Sequence, residues 1–140
     1  MRLFLMTVTA VGFALASFAM DEALAVQDTP TTINGVEVVC TGVGSAKDDP
    51  RWAAYPVKIV LATTGGANLA NAHVSLSKGG KEVAGLDCDA PWILFKPPAG
   101  NYTATATLIG STNSAHGNFS TSGSGQKEIT LMFARPAAAQ

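Results

Sequence analysis

Downstream of residue 35 the apolar positions fall in short runs, and several of these runs alternate. In 127–133, Ile129, Leu131 and Phe133 share one side opposite Glu128 and Thr130. Tyr102, Ala104, Ala106 and Leu108 share one side opposite a row of three threonines, and Tyr55, Val57, Ile59 and Leu61 share one opposite Lys58. A period of two means an extended strand with one buried and one wet face. Runs rich in Val, Ile, Thr and aromatics predict strands at 36–43, 55–62, 73–77, 82–87, 92–95, 102–109, 116–121 and 127–133. Between them stand turn residues. Ser77-Lys78-Gly79-Gly80-Lys81 reads as a hairpin whose glycines can supply positive φ, and 64–67 and 121–125 are punctuation of the same kind. Pro97 and Pro98 end the strand that starts at Trp92, because proline lacks the donor a ladder needs, and Gly100 lets the chain reverse into Tyr102. No stretch carries a helical period. The expected fold is therefore all-β, a seven- or eight-stranded antiparallel β-sandwich of Ig-like type.

The first 25 residues break this pattern. Arg2 precedes an apolar run interrupted only by Thr and Ser, and Ala23-Leu24-Ala25 closes it with small residues at alternate positions. Charged, apolar and small segments in that order read as a secretory signal peptide, cut after Ala25 or alternatively after Ala19. The division expected is a signal peptide at 1–25, a flexible segment at 26–35, one sandwich domain at 36–134 and a disordered tail at 135–140. The expected location is the periplasm or the extracellular space.

The chain holds 9 basic and 10 acidic side chains, and removal of Arg2, Asp21 and Glu22 with the signal leaves the two signs equal. Without a basic stripe, nucleic acid is an unfavoured partner. Export adds meaning to the two cysteines, Cys40 and Cys88. An oxidising compartment favours their pairing, two cysteines allow one intramolecular connectivity, and Cys40 shares the face of Val36 and Val38.

Asn71-Ala72-His73-Val74-Ser75-Leu76, then the glycine hairpin, then Pro97-Pro98-Ala99-Gly100-Asn101-Tyr102-Thr103-Ala104-Thr105-Ala106, resembles the carboxypeptidase regulatory-like family. The resemblance runs through positions 57–133 and implies a transthyretin-like or prealbumin-like sandwich, a fold often appended to enzymes or outer-membrane proteins. This chain departs from the pattern by Ala99 inside the Pro-Pro-Gly corner and by Cys88 and Trp92 before it.

No set of residues amounts to an active site by sequence. His73 and His116, the two histidines, lie far apart and read as isolated surface residues, with no neighbour of metal-ligand type. The His-x-His pair of intradiol dioxygenases and the closing Tyr-Arg-Gly-Ser of hydroxyisourate hydrolases are both absent. A serine nucleophile has no Gly-x-Ser-x-Gly elbow. Asp48, Asp49, Asp87 and Asp89 gather oxygens that suit Ca²⁺, although turn chemistry accounts for them better. Asn101-Tyr102-Thr103 and Asn118-Phe119-Ser120 fit the glycosylation sequon. Tyr102 is expected in the core below the Pro-Pro corner, and Trp92 in the core beside the disulfide. Trp52, in a polar loop next to Arg51, is the expected exposed contact residue.

With no catalytic residue, metal or cofactor called, the reading is a non-enzymatic exported module, acting on a protein or envelope partner or as structural support. A carbohydrate or small-ligand binding module is the alternative, and a degenerate transthyretin-like enzyme the second. The ligand-binding alternative predicts a concave aromatic pocket with convergent polar groups. The enzyme alternative predicts His73, His116 and a carboxylate or Tyr within hydrogen-bond reach.

Overall fold

A computed structural model describes residues 25–134, so all but the last residue of the expected signal peptide, and the expected tail, lie outside the described residues. Nine strands form two sheets within them. Strands β1 (Thr31–Ile33), β2 (Val36–Thr41), β3 (Val57–Thr63), β6 (Trp92–Lys96) and β9 (Lys127–Phe133) make one, in the order β1-β2-β6-β3-β9. Strands β4 (Ala72–Lys78), β5 (Lys81–Cys88), β7 (Gly100–Leu108) and β8 (Ser114–Thr121) make the other, in the order β5-β4-β7-β8. All pairs are antiparallel except β3 with β9, which run parallel from Val57 opposite Lys127 to Thr63 opposite Phe133. The all-β sandwich is as expected, with one strand more and one parallel pair.

The extra strand lies in the segment expected to be flexible. Asn34 and Gly35 both take positive φ, 50° and 80°, which is the geometry of a two-residue hairpin between twisted strands. That turn sets Thr31 opposite Val38 and Ile33 opposite Val36.

The alternation delivers the core. Val36, Val38 and Cys40 face Val57, Ile59, Leu61, Ile93, Phe95, Leu131 and Phe133 within one sheet's inner surface, against Val74, Leu76, Ala84, Ala104 and Ala106 of the other. Tyr102 is buried there as expected, 4% exposed, with its ring stacked on Phe119 at 5.9 Å. Its hydroxyl donates to the Pro98 carbonyl oxygen at 2.6 Å, so the ring ties the Pro-Pro corner to the start of β7. Burial raises the Tyr102 pKa.

Cys40 and Cys88 are bridged, joining β2 of one sheet to β5 of the other. Both are fully buried.

Three aromatic expectations are corrected. Trp52 is buried, 4% exposed, rather than a surface contact. Two short 3-10 helices, Gly44–Asp48 and Pro50–Ala54, fold over the outer face of the five-stranded sheet and press Trp52 and Tyr55 onto Val39 and Leu94. The indole N–H donates to the Ala46 carbonyl at 2.7 Å, which satisfies its polar atom. Tyr55 belongs to this second cluster, not to the face of Val57, because the chain leaves the helix at Tyr55 and β3 begins after Pro56. Burial, with Glu37 nearby, raises the Tyr55 pKa to about 12. Trp92 is half-buried on the same outer face, its ring under the Lys58 ammonium at 3.5 Å.

Gly42 explains how the indole of Trp92 fits. Its φ is +106°, and a Cβ there would lie 2.7 Å from Trp92 Cγ. Gly42→Ala is expected to cost about 2 kcal/mol from backbone strain and the ring's displacement. Urea unfolding of the two proteins measures it, and a difference under about half a kcal/mol would mean that the ring moves aside freely.

Candidate functional site

The densest arrangement of polar chemistry lies on the outer face of the β4–β5 hairpin. The turn at Gly79 and Gly80, both at positive φ, sets Lys78 opposite Lys81 and Ser77 opposite Glu82. The register then shifts by one residue between Leu76 and Ser77, so that Leu76 faces Ala84 and His73 faces Asp87. A bulge of this kind changes which side chains share a face. Glu82 thereby comes to the side of Gly85 and Asp87, although strict alternation would put it with Ala84 and Leu86.

The result is an imidazole flanked by two carboxylates. His73 Nδ1 lies 2.7 Å from Asp87 Oδ1, a hydrogen bond, and Nε2 lies 3.8 Å from Glu82 Oε1, which is too long for one. Gly85 makes room between them, because a Cβ there would lie 2.7 Å from Glu82 Oε1. Asp87 thus orients the ring and leaves Nε2 open.

Beside this group the N-terminal arm, residues 25–33, runs along the edge of β5. The Ala25 amide donates to the Asp87 carbonyl at 3.0 Å and the Gln27 side chain to the Asp89 carbonyl at 2.9 Å. The Asp28 amide donates to the Cys40 carbonyl at 2.8 Å, and its carboxylate accepts from the Thr41 hydroxyl at 2.6 Å. The arm therefore crosses from one sheet to the other over the disulfide. Between it and β5 lies a cleft of about 420 Å³, walled by Val26, Pro30, Ile33 and Leu86, with His73 and Asp87 at its polar end. That volume is in the range of small-molecule sites.

The remaining candidates do not join this cleft. His116 is exposed on β8 opposite Thr105, while His73 on β4 is opposite Thr107, so β7 separates them by two strand spacings, about 10 Å. The convergence of the two histidines expected for a degenerate enzyme does not occur. Asp49 accepts from the Arg51 amide through Oδ1 and from two guanidinium N–H groups of Arg51 through Oδ2, at 2.8 and 2.9 Å. These bonds hold the Asp49 carboxyl below its ordinary pKa and raise that of Arg51. Arg51 stays exposed, its guanidinium 4.8 Å from the Trp52 ring. Of the four aspartates considered for Ca²⁺, Asp87 is held by His73 and Asp49 by Arg51, in separate parts of the structure. No group of three or more His, Cys, Asp or Glu arranged for a metal occurs among the described residues.

The sequon residues meet one another across strands. Thr103 donates to Asn118 at 2.7 Å, and Ser120 donates to Asn101. They rim a second, shallow depression of about 460 Å³ near the Gly79–Gly80 turn. Asn101 and Ser120, and Thr103 and Asn118, are paired across its floor.

His73, Asp87 and Glu82 were not assembled by sequence reasoning. The Gly79-Gly80 turn, counted backwards without a bulge, puts Leu86 opposite His73, one residue from the true partner.

No protein-family model and no curated protein matches this chain. Among solved structures, the 5-hydroxyisourate hydrolase of Klebsiella pneumoniae is similar over 56% of this chain and 87% of its own, at 22% identity and a TM-score of 0.39. At that identity and TM-score the likeness lends no activity. The expectation of a non-enzymatic protein-interaction or structural module is corrected, because Trp52, the residue chosen as its contact, lies in a hydrophobic cluster.

Proposed function

We propose that the protein binds a small molecule in the cleft between the N-terminal arm and β5. One observation carries this reading: an apolar recess of about 420 Å³ ends on a hydrogen-bonded His73–Asp87 pair. Apolar walls supply affinity and a few convergent polar groups fix orientation. The walls are aliphatic, and the rings of Trp52, Tyr55, Tyr102 and Phe119 are buried elsewhere. A sugar, which stacks on exposed aromatic faces, is therefore a poorer ligand than a compact apolar compound.

The fold supports the kinship implied by the resemblance to carboxypeptidase regulatory-like domains, since the two quoted segments form β4, the turn after it, and β7. The Cys40–Cys88 bridge supports a working place in an oxidising compartment, the periplasm or outside the cell. Among the described residues no helix is long and apolar enough to cross a membrane.

Nuclear magnetic resonance titration with a panel of small apolar compounds tests the proposal. Shifts should concentrate on the amides of Ile33, Gly85 and Leu86. Gly85→Leu puts a bulky side chain where Glu82 now lies, and is expected to abolish those shifts without moving the unfolding midpoint. Shifts absent throughout the panel, or unchanged in Gly85→Leu, would overturn it.

A further inference from the structure

We propose that the ligand of this cleft carries a cationic nitrogen, as in an alkylamine, its apolar body against the arm and β5 and its ammonium at the His73 end. The inference rests on the ligand-binding reading above and adds the head group. Charge decides it. Asp87 and Glu82 stand on either side of one imidazole, at 2.7 and 3.8 Å from its two nitrogens. Whether His73 holds one proton or two, two carboxylates face at most one cation. No lysine or arginine lines the cleft; of the two carboxylates Asp87 lines it, and Glu82 stands just beyond it on the far side of the His73 ring.

The same surroundings leave acceptors open. One Asp87 oxygen is hydrogen-bonded to His73, and Glu82 stands too far from Nε2 for a hydrogen bond. An ammonium, with three donors and no acceptor, complements such a set. A carboxylate head would meet like charge, and a hydroxyl would gain little beyond the apolar wall.

Two local features hold Glu82 in this place. The bulge at Leu76/Ser77 turns Glu82 to the outer face, and Gly85 omits the side chain that would push it away. The feature that orients the acid is therefore backbone geometry on β5, not a salt bridge to a lysine.

Hexylammonium, hexanol and hexanoate share one apolar body and differ in head group. Titrated into the intact protein, with shifts read at Ile33, Gly85 and Leu86, hexylammonium should bind about tenfold more tightly than hexanol, and hexanoate most weakly. Glu82→Gln, an exposed and nearly isosteric change, should weaken hexylammonium roughly fivefold and leave hexanol and the unfolding midpoint unchanged. Hexanol or hexanoate binding as tightly as hexylammonium at these amides would overturn the head-group inference and keep the cleft as a ligand site. The absence of shifts from all three would overturn both.

Discussion

Replacing Cys40 and Cys88 together by alanine is expected to lower the unfolding free energy by about 4 kcal/mol. The bridge closes a loop of 48 residues in sequence separation, and in the chain-entropy account most of the loss comes from the freed unfolded chain. Small domains hold roughly 5 to 15 kcal/mol in all, so the variant should sit near the edge of stability. The native state contributes too. Cys40 lies in β2 and Cys88 at the end of β5, so the bridge joins the two sheets at the point where the arm crosses between them. Urea unfolding of the oxidised protein and the double variant at one pH measures the difference. A loss below about 1 kcal/mol would show that packing alone holds the sheets together at that edge.

Tyr102→Ala is expected to cost about 3 kcal/mol, since it leaves a cavity beneath the Pro-Pro corner and removes a stacked ring. Tyr102→Phe separates the contributions. It keeps the stack on Phe119 and deletes the hydroxyl that donates to Pro98, which should cost about 1 kcal/mol. Equal losses for the two variants would mean that the corner hangs on the hydrogen bond and the ring adds nothing.

What could be read from the sequence follows from periodicity. Ile129, Leu131 and Phe133 gave β9 its face, and Tyr102, Ala104 and Ala106 gave β7 its own. Period two reports faces within one strand and is blind to pairing between strands. β1 escaped because three residues are too few to show a period, although Asn34-Gly35 is the strongest hairpin signal in the chain. Trp52 was misplaced because its loop is polar in composition, and only the folded 3-10 turns bring the indole down onto Val39 and Leu94. The cleft was hidden for a related reason. Its polar end depends on one extra residue in β5, and a single bulge moves Asp87 in place of Leu86 opposite His73. Asp49 was legible, because an aspartate before proline bonds the amides that follow it, as it does with Arg51.

The parallel pairing of β3 with β9 sets the order of events during synthesis. Every other ladder in the five-stranded sheet can form once β6 has emerged, yet the edge of β3 away from β6 gains its neighbour only when Lys127 to Phe133 have been synthesised. Until then a long apolar strand stands with one side unpaired, the state in which chains pair wrongly with one another. The domain therefore cannot complete its fold piecemeal from its N-terminal side.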